Sequence, residues 1–198
     1  MRIPKALLCA SLAFSFLFAT VSFAQETRKP RREPDVPYVP TTERAVEAML
    51  KLAEVKSTDI VYDLGCGDGR IVIAAAKKYG ARGAGIDINP QRIIEAKANA
   101  KKAGVENLVR FEENDLFLAD FREATVVTLF LLPNINLKLL PKLLEQLKPG
   151  TRVVSNTFDM GDWKAVKEFA VDDDPNDEDT GLSKRLYLWI IPPRTGAK

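Results

Sequence analysis

The chain has 198 residues, 46% of them hydrophobic and 28% charged, a globular composition with apolar material for one core, so a single domain is expected. Residues 1–24 carry Arg2 and Lys5 and no acid, so setting them aside takes the 29 basic residues to 27, equal to the 27 acidic ones. A neutral body whose one basic cluster is Arg28, Lys29, Arg31 and Arg32 disfavours a partner gripped through phosphates. The absence of histidine removes the commonest general base and the commonest zinc ligand, and no metal is expected.

Residues 1–24 place Arg2 and Lys5 ahead of an apolar run and end in Ser22-Phe23-Ala24 before Gln25, the pattern of a secretory signal peptide. The run is about 19 residues long, close to the roughly 20 that span a bilayer, so a membrane anchor is the rival reading. Four basic residues after the run against two before it favour a cytoplasmic downstream side. Export to the periplasm and anchoring with a cytoplasmic domain both stay open. Pro30, Pro34, Pro37 and Pro40 make 25–40 an extended linker, and the globular domain is expected over 41–198.

Thr41 or Thr42 caps a helix with the apolar stripe Val46, Met49, Leu50 and Ala53. A strand over 60–64, a helix over 70–79 stopped by Gly80, and a strand over 84–88 form a βαβ unit. Asn89 and Pro90 open a helix that buries Ile93, Ala96, Ala100 and Ala103 before Gly104, and 109–112 is a third strand. The unbroken apolar run 124–132 reads as a central parallel strand buried on both faces. Pro141 inside the leucine-rich stretch 137–147 predicts a kink or two short helices. A fifth strand over 151–156 is followed by 168–171 and 186–191 as an antiparallel hairpin around an acidic loop, Asp172 to Thr180, whose charges read as solvated surface. Trp163 and Trp189 are expected to pack on the sheet. The fold class is therefore α/β, a mostly parallel sheet with helices on both faces and an antiparallel end.

In such sheets ligands bind beyond the carboxyl ends of the strands. The first strand leaves through Asp63-Leu64-Gly65-Cys66-Gly67-Asp68-Gly69-Arg70, with glycines where backbone must turn and approach a ligand. A dinucleotide loop needs G-x-G-x-x-G, and Arg70 stands where its last glycine belongs. Cys66 is the folded part's one thiol, with Cys9 in the N-terminal segment, and reads as a packing residue.

This G-x-G-x-G form after a strand and an acid resembles motif I of the Rossmann-like class I S-adenosylmethionine-dependent methyltransferases over residues 36–191. The resemblance implies S-adenosylmethionine as cofactor, held around Asp63, Gly65, Cys66, Gly67, Asp68 and Gly69. It implies that Asp87, with Ile88 beside it, accepts hydrogen bonds from the ribose hydroxyls. Asp115, after Asn114, is implied to accept from the adenine amino group while the Leu116 amide meets the ring. Asp63 would orient the loop through backbone amides or meet the cofactor's ammonium, with Asp68 able to exchange roles with it. Arg70 pairs with Asp68 or faces solvent.

Pro37-Tyr38-Val39-Pro40-Thr41, Asp68-Gly69-Arg70-Ile71-Val72 and Leu131-Leu132-Pro133-Asn134 resemble more narrowly the family of the ATP-synthase c-subunit lysine methyltransferase and its bacterial relatives. There the segment before the domain helps cover the cofactor, so Tyr38 either lines the pocket or docks on the surface. Many amino-group methyltransferases end the fourth strand in Asn/Asp-Pro-Pro-Tyr/Phe, a motif that Leu132-Pro133-Asn134 does not match. The motifs name no catalytic side chain; Asn134, Asn156 and Asp159 are positional candidates for contact with the acceptor. The expected activity is methyl transfer to a protein lysine amine, with a small-molecule acceptor or a non-catalytic scaffolding module as alternatives. The protein is expected to be a monomer, with membrane association through its N-terminal segment.

Overall fold

Alternation along β1 (Ile60–Leu64) sends Val61 to one side of a sheet and Tyr62 and Leu64 to the other, and all three are buried because helices cover both faces. The computed structural model describes residues 32–171 and 185–194. The N-terminal apolar run and the acidic 172–179 stretch lie outside the described residues. Among the described residues no helix is long and apolar enough to cross a membrane.

Helix α1 (Glu43–Leu52) is capped by the Thr42 hydroxyl, which accepts from the Ala45 amide at 3.2 Å. Helix α2 (Arg70–Tyr79) ends at Gly80 in the left-handed conformation, the common glycine stop. The second strand, β2 (Arg82–Asp87), starts before the expected 84. Its glycines lower strand propensity, yet the space at Gly83 is taken by Val72 of α2, so the small residues are there for helix packing. Helix α3 (Pro90–Ala103) opens with the Asn89 side chain accepting from Gln91 N at 2.9 Å and Pro90 in its first turn. Strand β3 (Val109–Glu113) follows.

Strand β4 covers only Val126–Leu129 of the expected 124–132. Its pairing with β1 stops opposite Leu64, and Pro133 begins α4 (Pro133–Gln146) soon after. That helix is continuous, with Pro141 inside it, and is not two short helices. It starts four residues before the expected 137 because Pro133 suits a first turn, where no amide partner is needed. Strands β5 (Arg152–Asn156), β6 (Lys167–Ala170) and β7 (Arg185–Ile190) complete the set.

The sheet runs β3-β2-β1-β4-β5-β7-β6. Strands β1 to β5 are parallel, and β7 is antiparallel to both β5 and β6. Helices α1 and α2 pack with Val61, Val126, Val154 and Leu186 on one face; Ile135, Leu139 and Leu143 of α4 pack with Tyr62, Val127 and Trp189 on the other. Trp189 is fully buried, donates to the Trp163 carbonyl at 2.7 Å and lies 5.8 Å from that ring. Reversal of strand order at β1/β4 puts a crevice at the carboxyl ends of the central strands.

Candidate active site

A cavity of about 430 Å³ opens at those strand ends, within the size range of small-molecule sites. Its floor is the turn from β1 to α2. Gly65 N and Cys66 N both donate to the Ile86 carbonyl, at 2.8 and 2.9 Å, tying the loop to the end of β2. Gly67 has φ +52, and a Cβ there would run into the Tyr38 ring. Gly69 has φ +80, and a Cβ there would lie 2.6 Å from Phe111 Cε1, so this glycine lets α2 approach β3 and does not line the cavity.

Asp63, Gly65, Cys66, Gly67 and Asp68 from the first loop line the cavity, as do Asp87, Ile88, Asn114 and Leu116 from the next two strand ends. The Asp63 side chain is buried and accepts from the Thr128 hydroxyl at 2.8 Å. Burial raises its carboxyl to about 7, against the Thr128 hydrogen bond and with help from the negative charges of Asp87 and Asp68. The carboxylate that holds a loop amide is Asp87, whose Oδ2 accepts from Gly67 N at 2.9 Å and whose Oδ1 accepts from Asn89 N at 2.8 Å. Burial lifts Asp87 above the usual carboxylate range, opposed by the Asn89 and Gly67 amides.

Asp68 is gripped by Arg70 through Nε at 2.9 Å and Nη2 at 2.7 Å, and the third arm of that guanidinium donates to the Thr41 carbonyl at 2.7 Å. Of the two readings of Arg70, pairing is the one realised. Burial would raise Asp68, but its hydrogen bonds to Arg70 leave it below its ordinary value. Asp68 therefore ties down the approach to α1. Cys66 is buried against α2, α3 and Phe111 of β3, with burial and the charges of Asp63 and Asp87 pushing its thiol well up; a thiol held neutral is no nucleophile.

Asp115 is not on the cavity wall. Its Oδ2 accepts from Arg32 Nε at 2.9 Å and its Oδ1 from Phe117 N at 2.8 Å. Burial would raise it, but the Arg32 and Phe117 hydrogen bonds keep it low. Residues 34–41 form a wall of the cavity, and Val36 packs on the core. Residues 34–40 of the expected linker are thus part of the site, and Tyr38 lines the pocket while also stacking under Arg92 at 4.4 Å. Sequence reasoning missed Arg32, Arg92 and Thr128; the proline spacing marked the wall as extended chain without showing that it docks. Asn134 and Asp159 are exposed, Asn156 is buried, and none of the three lines the cavity.

A crevice at the switch point, a glycine turn tied to β2 and carboxylates at the ends of adjacent parallel strands define an S-adenosylmethionine-dependent methyltransferase of the Rossmann-like type. The chain belongs to the ANTKMT methyltransferase domain family, whose model matches residues 63–167. It is 48% identical over 159 residues to a protein-lysine N-methyltransferase of Saccharolobus islandicus, covering 80% of this chain and 95% of that protein. It is 37% identical over 128 residues to the ATP-synthase c-subunit lysine N-methyltransferase of Xenopus laevis, covering 65% of this chain and 56% of that one, so it spans just over half of the animal enzyme. A structure described as an RNA methyltransferase from Salinibacter ruber in complex with S-adenosyl-L-homocysteine superposes with a TM-score of 0.72 at 51% identity, covering 81% of this chain and 98% of that chain. The chain is an enzyme that transfers a methyl group from S-adenosylmethionine.

Proposed function

We propose that the acceptor is the side-chain amine of a protein lysine. The observation that carries this reading is the match to a protein-lysine N-methyltransferase along 95% of that protein's length.

In this reading Asp87 takes the ribose hydroxyls, Asp63 the ammonium of the amino-acid tail, and the Leu116 amide the adenine ring. Gly65 and Gly67 let the tail approach the backbone, and Asp115, off the cavity wall, acts on the adenine end by holding Arg32, which lines the cavity. The neutral lysine nitrogen attacks the sulfonium methyl: the N–C bond forms, the C–S bond breaks, its electron pair stays on sulfur, and a proton leaves the new ammonium for solvent. Alignment supplies the rate, for which effective molarities of about 10⁵ to 10⁸ M are attainable; no histidine is needed. A free lysine of pKa about 10.4 reaches its neutral form when an apolar passage desolvates it.

The Salinibacter ruber protein's description supports RNA as a second acceptor class, against which stand the 27 basic and 27 acidic residues beyond residue 24. We further place the domain beside a membrane through its N-terminal apolar segment, a placement that a reporter fused at the C-terminus and assayed on both sides of the membrane tests. Acceptor choice is tested with radiolabelled S-adenosylmethionine, offering a degenerate lysine heptapeptide library and total RNA in parallel. Mono-, di- or trimethyl-lysine found by mass spectrometry is the expected result; label in RNA alone overturns the lysine reading.

A further inference from the structure

We propose that Phe130 and Phe158 form the passage by which the acceptor side chain reaches the methyl group, selecting a long aliphatic amine; the inference rests on the lysine reading above. Phe130 follows β4 directly and lies on the cavity wall. Phe158 follows β5 and stacks on Phe130, with ring centroids 6.4 Å apart and planes inclined by 24°. Both rings are half-buried, so the pair runs from the cavity wall to solvent.

The backbone spends stability to hold this arrangement. Thr157 sits at φ +69, an outlier for a β-branched residue of the kind that accumulates at functional sites. The turn is fastened from behind by the fully buried Asn136 of α4, whose Nδ2 lies 3.3 Å from the Phe158 carbonyl, 3.2 Å from that of Asp159 and 3.3 Å from Ser155 Oγ. Asn136 Oδ1 is buried with no hydrogen-bond partner among the described residues. An apolar side chain there would fill the space without an orphaned acceptor. The asparagine is therefore explained by its grip on the Phe158 turn, and it is a positioning residue.

Two aromatic faces suit a lysine in two respects. They cover its methylene stem, and their π-faces attract the ammonium as it enters. Further in, loss of water lowers the amine's pKa toward the neutral nucleophile. A short or anionic acceptor gains from neither.

The test uses the full chain with the lysine heptapeptide library, comparing wild type, Phe158→Leu, Phe130→Leu and the conservative Phe158→Tyr. S-adenosylhomocysteine affinity is measured by calorimetry on each. We expect Phe158→Leu to raise the peptide KM by roughly ten-fold with the S-adenosylhomocysteine affinity unchanged, and Phe158→Tyr to restore the wild-type KM. Phe130→Leu tests the inner ring by the same KM readout. An unchanged peptide KM in a folded Phe158→Leu, or a loss of cofactor affinity equal to the rise in KM, overturns the passage while leaving the lysine reading intact. A wild-type enzyme that binds S-adenosylhomocysteine but methylates no lysine in the library overturns both.

Discussion

Replacing Asp87 with alanine is the sharpest probe of the proposed cofactor site, because one carboxylate holds the loop and, in the proposed reading, takes the ligand. In the free protein it accepts from Gly67 N at 2.9 Å and Asn89 N at 2.8 Å; in the proposed reading it also accepts from two ribose hydroxyls of the bound cofactor. A hydrogen bond to a charged group contributes about 1.5 to 3 kcal/mol net, and stranded buried donors cost about 1 to 3 kcal/mol. Water entering the open cavity recovers part of this, so Asp87→Ala is expected to weaken S-adenosylhomocysteine binding by about 1 to 3 kcal/mol, roughly 5- to 150-fold in Kd. Loss of the loop anchor is expected to lower stability by about 1 to 2 kcal/mol, read from urea unfolding. Asp87→Asn keeps one acceptor oxygen and should lose less of both. Calorimetry on samples shown to be folded by circular dichroism decides the matter: an Asp87→Ala protein with wild-type affinity refutes the ribose assignment.

Asp63 carries a carboxyl raised from 3.8 to about 7 by burial, so between those values the folded state holds a proton that the unfolded state has lost. Its contribution to stability is therefore full below about pH 4 and is lost as pH rises through 7; Asp63→Asn should flatten the fall in urea midpoint between pH 5 and pH 8, and equal slopes in the two proteins would contradict the burial argument. Gly67→Ala forces a Cβ into a left-handed turn at φ +52 and into the Tyr38 ring. With about 1 to 2 kcal/mol for the backbone alone, cofactor affinity should fall by an order of magnitude, and titration of S-adenosylhomocysteine checks it. Asp59 is buried at the opposite end of β1, where it accepts from Lys56 N at 2.7 Å and Thr125 Oγ1 at 2.7 Å and pairs with Arg152. Asp59→Ala removes the guanidinium's carboxylate while leaving its bonds to the Ala53 and Glu54 carbonyls, and is expected to cost about 3 kcal/mol of stability with no change in cofactor Kd for the folded fraction; a loss confined to binding would show that the two ends of the sheet are coupled.

What could be read from the sequence was local. Asp87 was legible because an acid after a short apolar run, followed by Asn89 and Pro90, marks both a strand exit and a helix start. Its hold on Gly67, twenty residues earlier, was not, since no local pattern encodes which carboxylate takes a loop amide. Gly69 reads as a ligand glycine from its spacing, yet its lack of a side chain answers to Phe111 and Ala96, a packing demand between elements distant in sequence. The wall from 32 to 41 has no periodicity because it is neither helix nor strand. It is fixed by Arg32 reaching Asp115 across 83 positions and Arg70 reaching the Thr41 carbonyl across 29, contacts that only the closed fold creates. Strand and helix limits slipped where backbone pairing, not composition, sets the end: β4 stops where β1 stops.

The placing of β7 between β5 and β6 bears on how this enzyme comes into being. Until Arg185–Ile190 is laid down, β5 has an open backbone edge and β6 has no neighbour to join. The fully buried Leu186 and Trp189 are then missing one from each face of the sheet. Every residue that lines the crevice lies at or before Ile135, whereas the side of β5 that other chains could capture is covered by β7. The residues that make the crevice and the strand that shields the sheet edge are thus set apart along the chain, and the shield is the last of them.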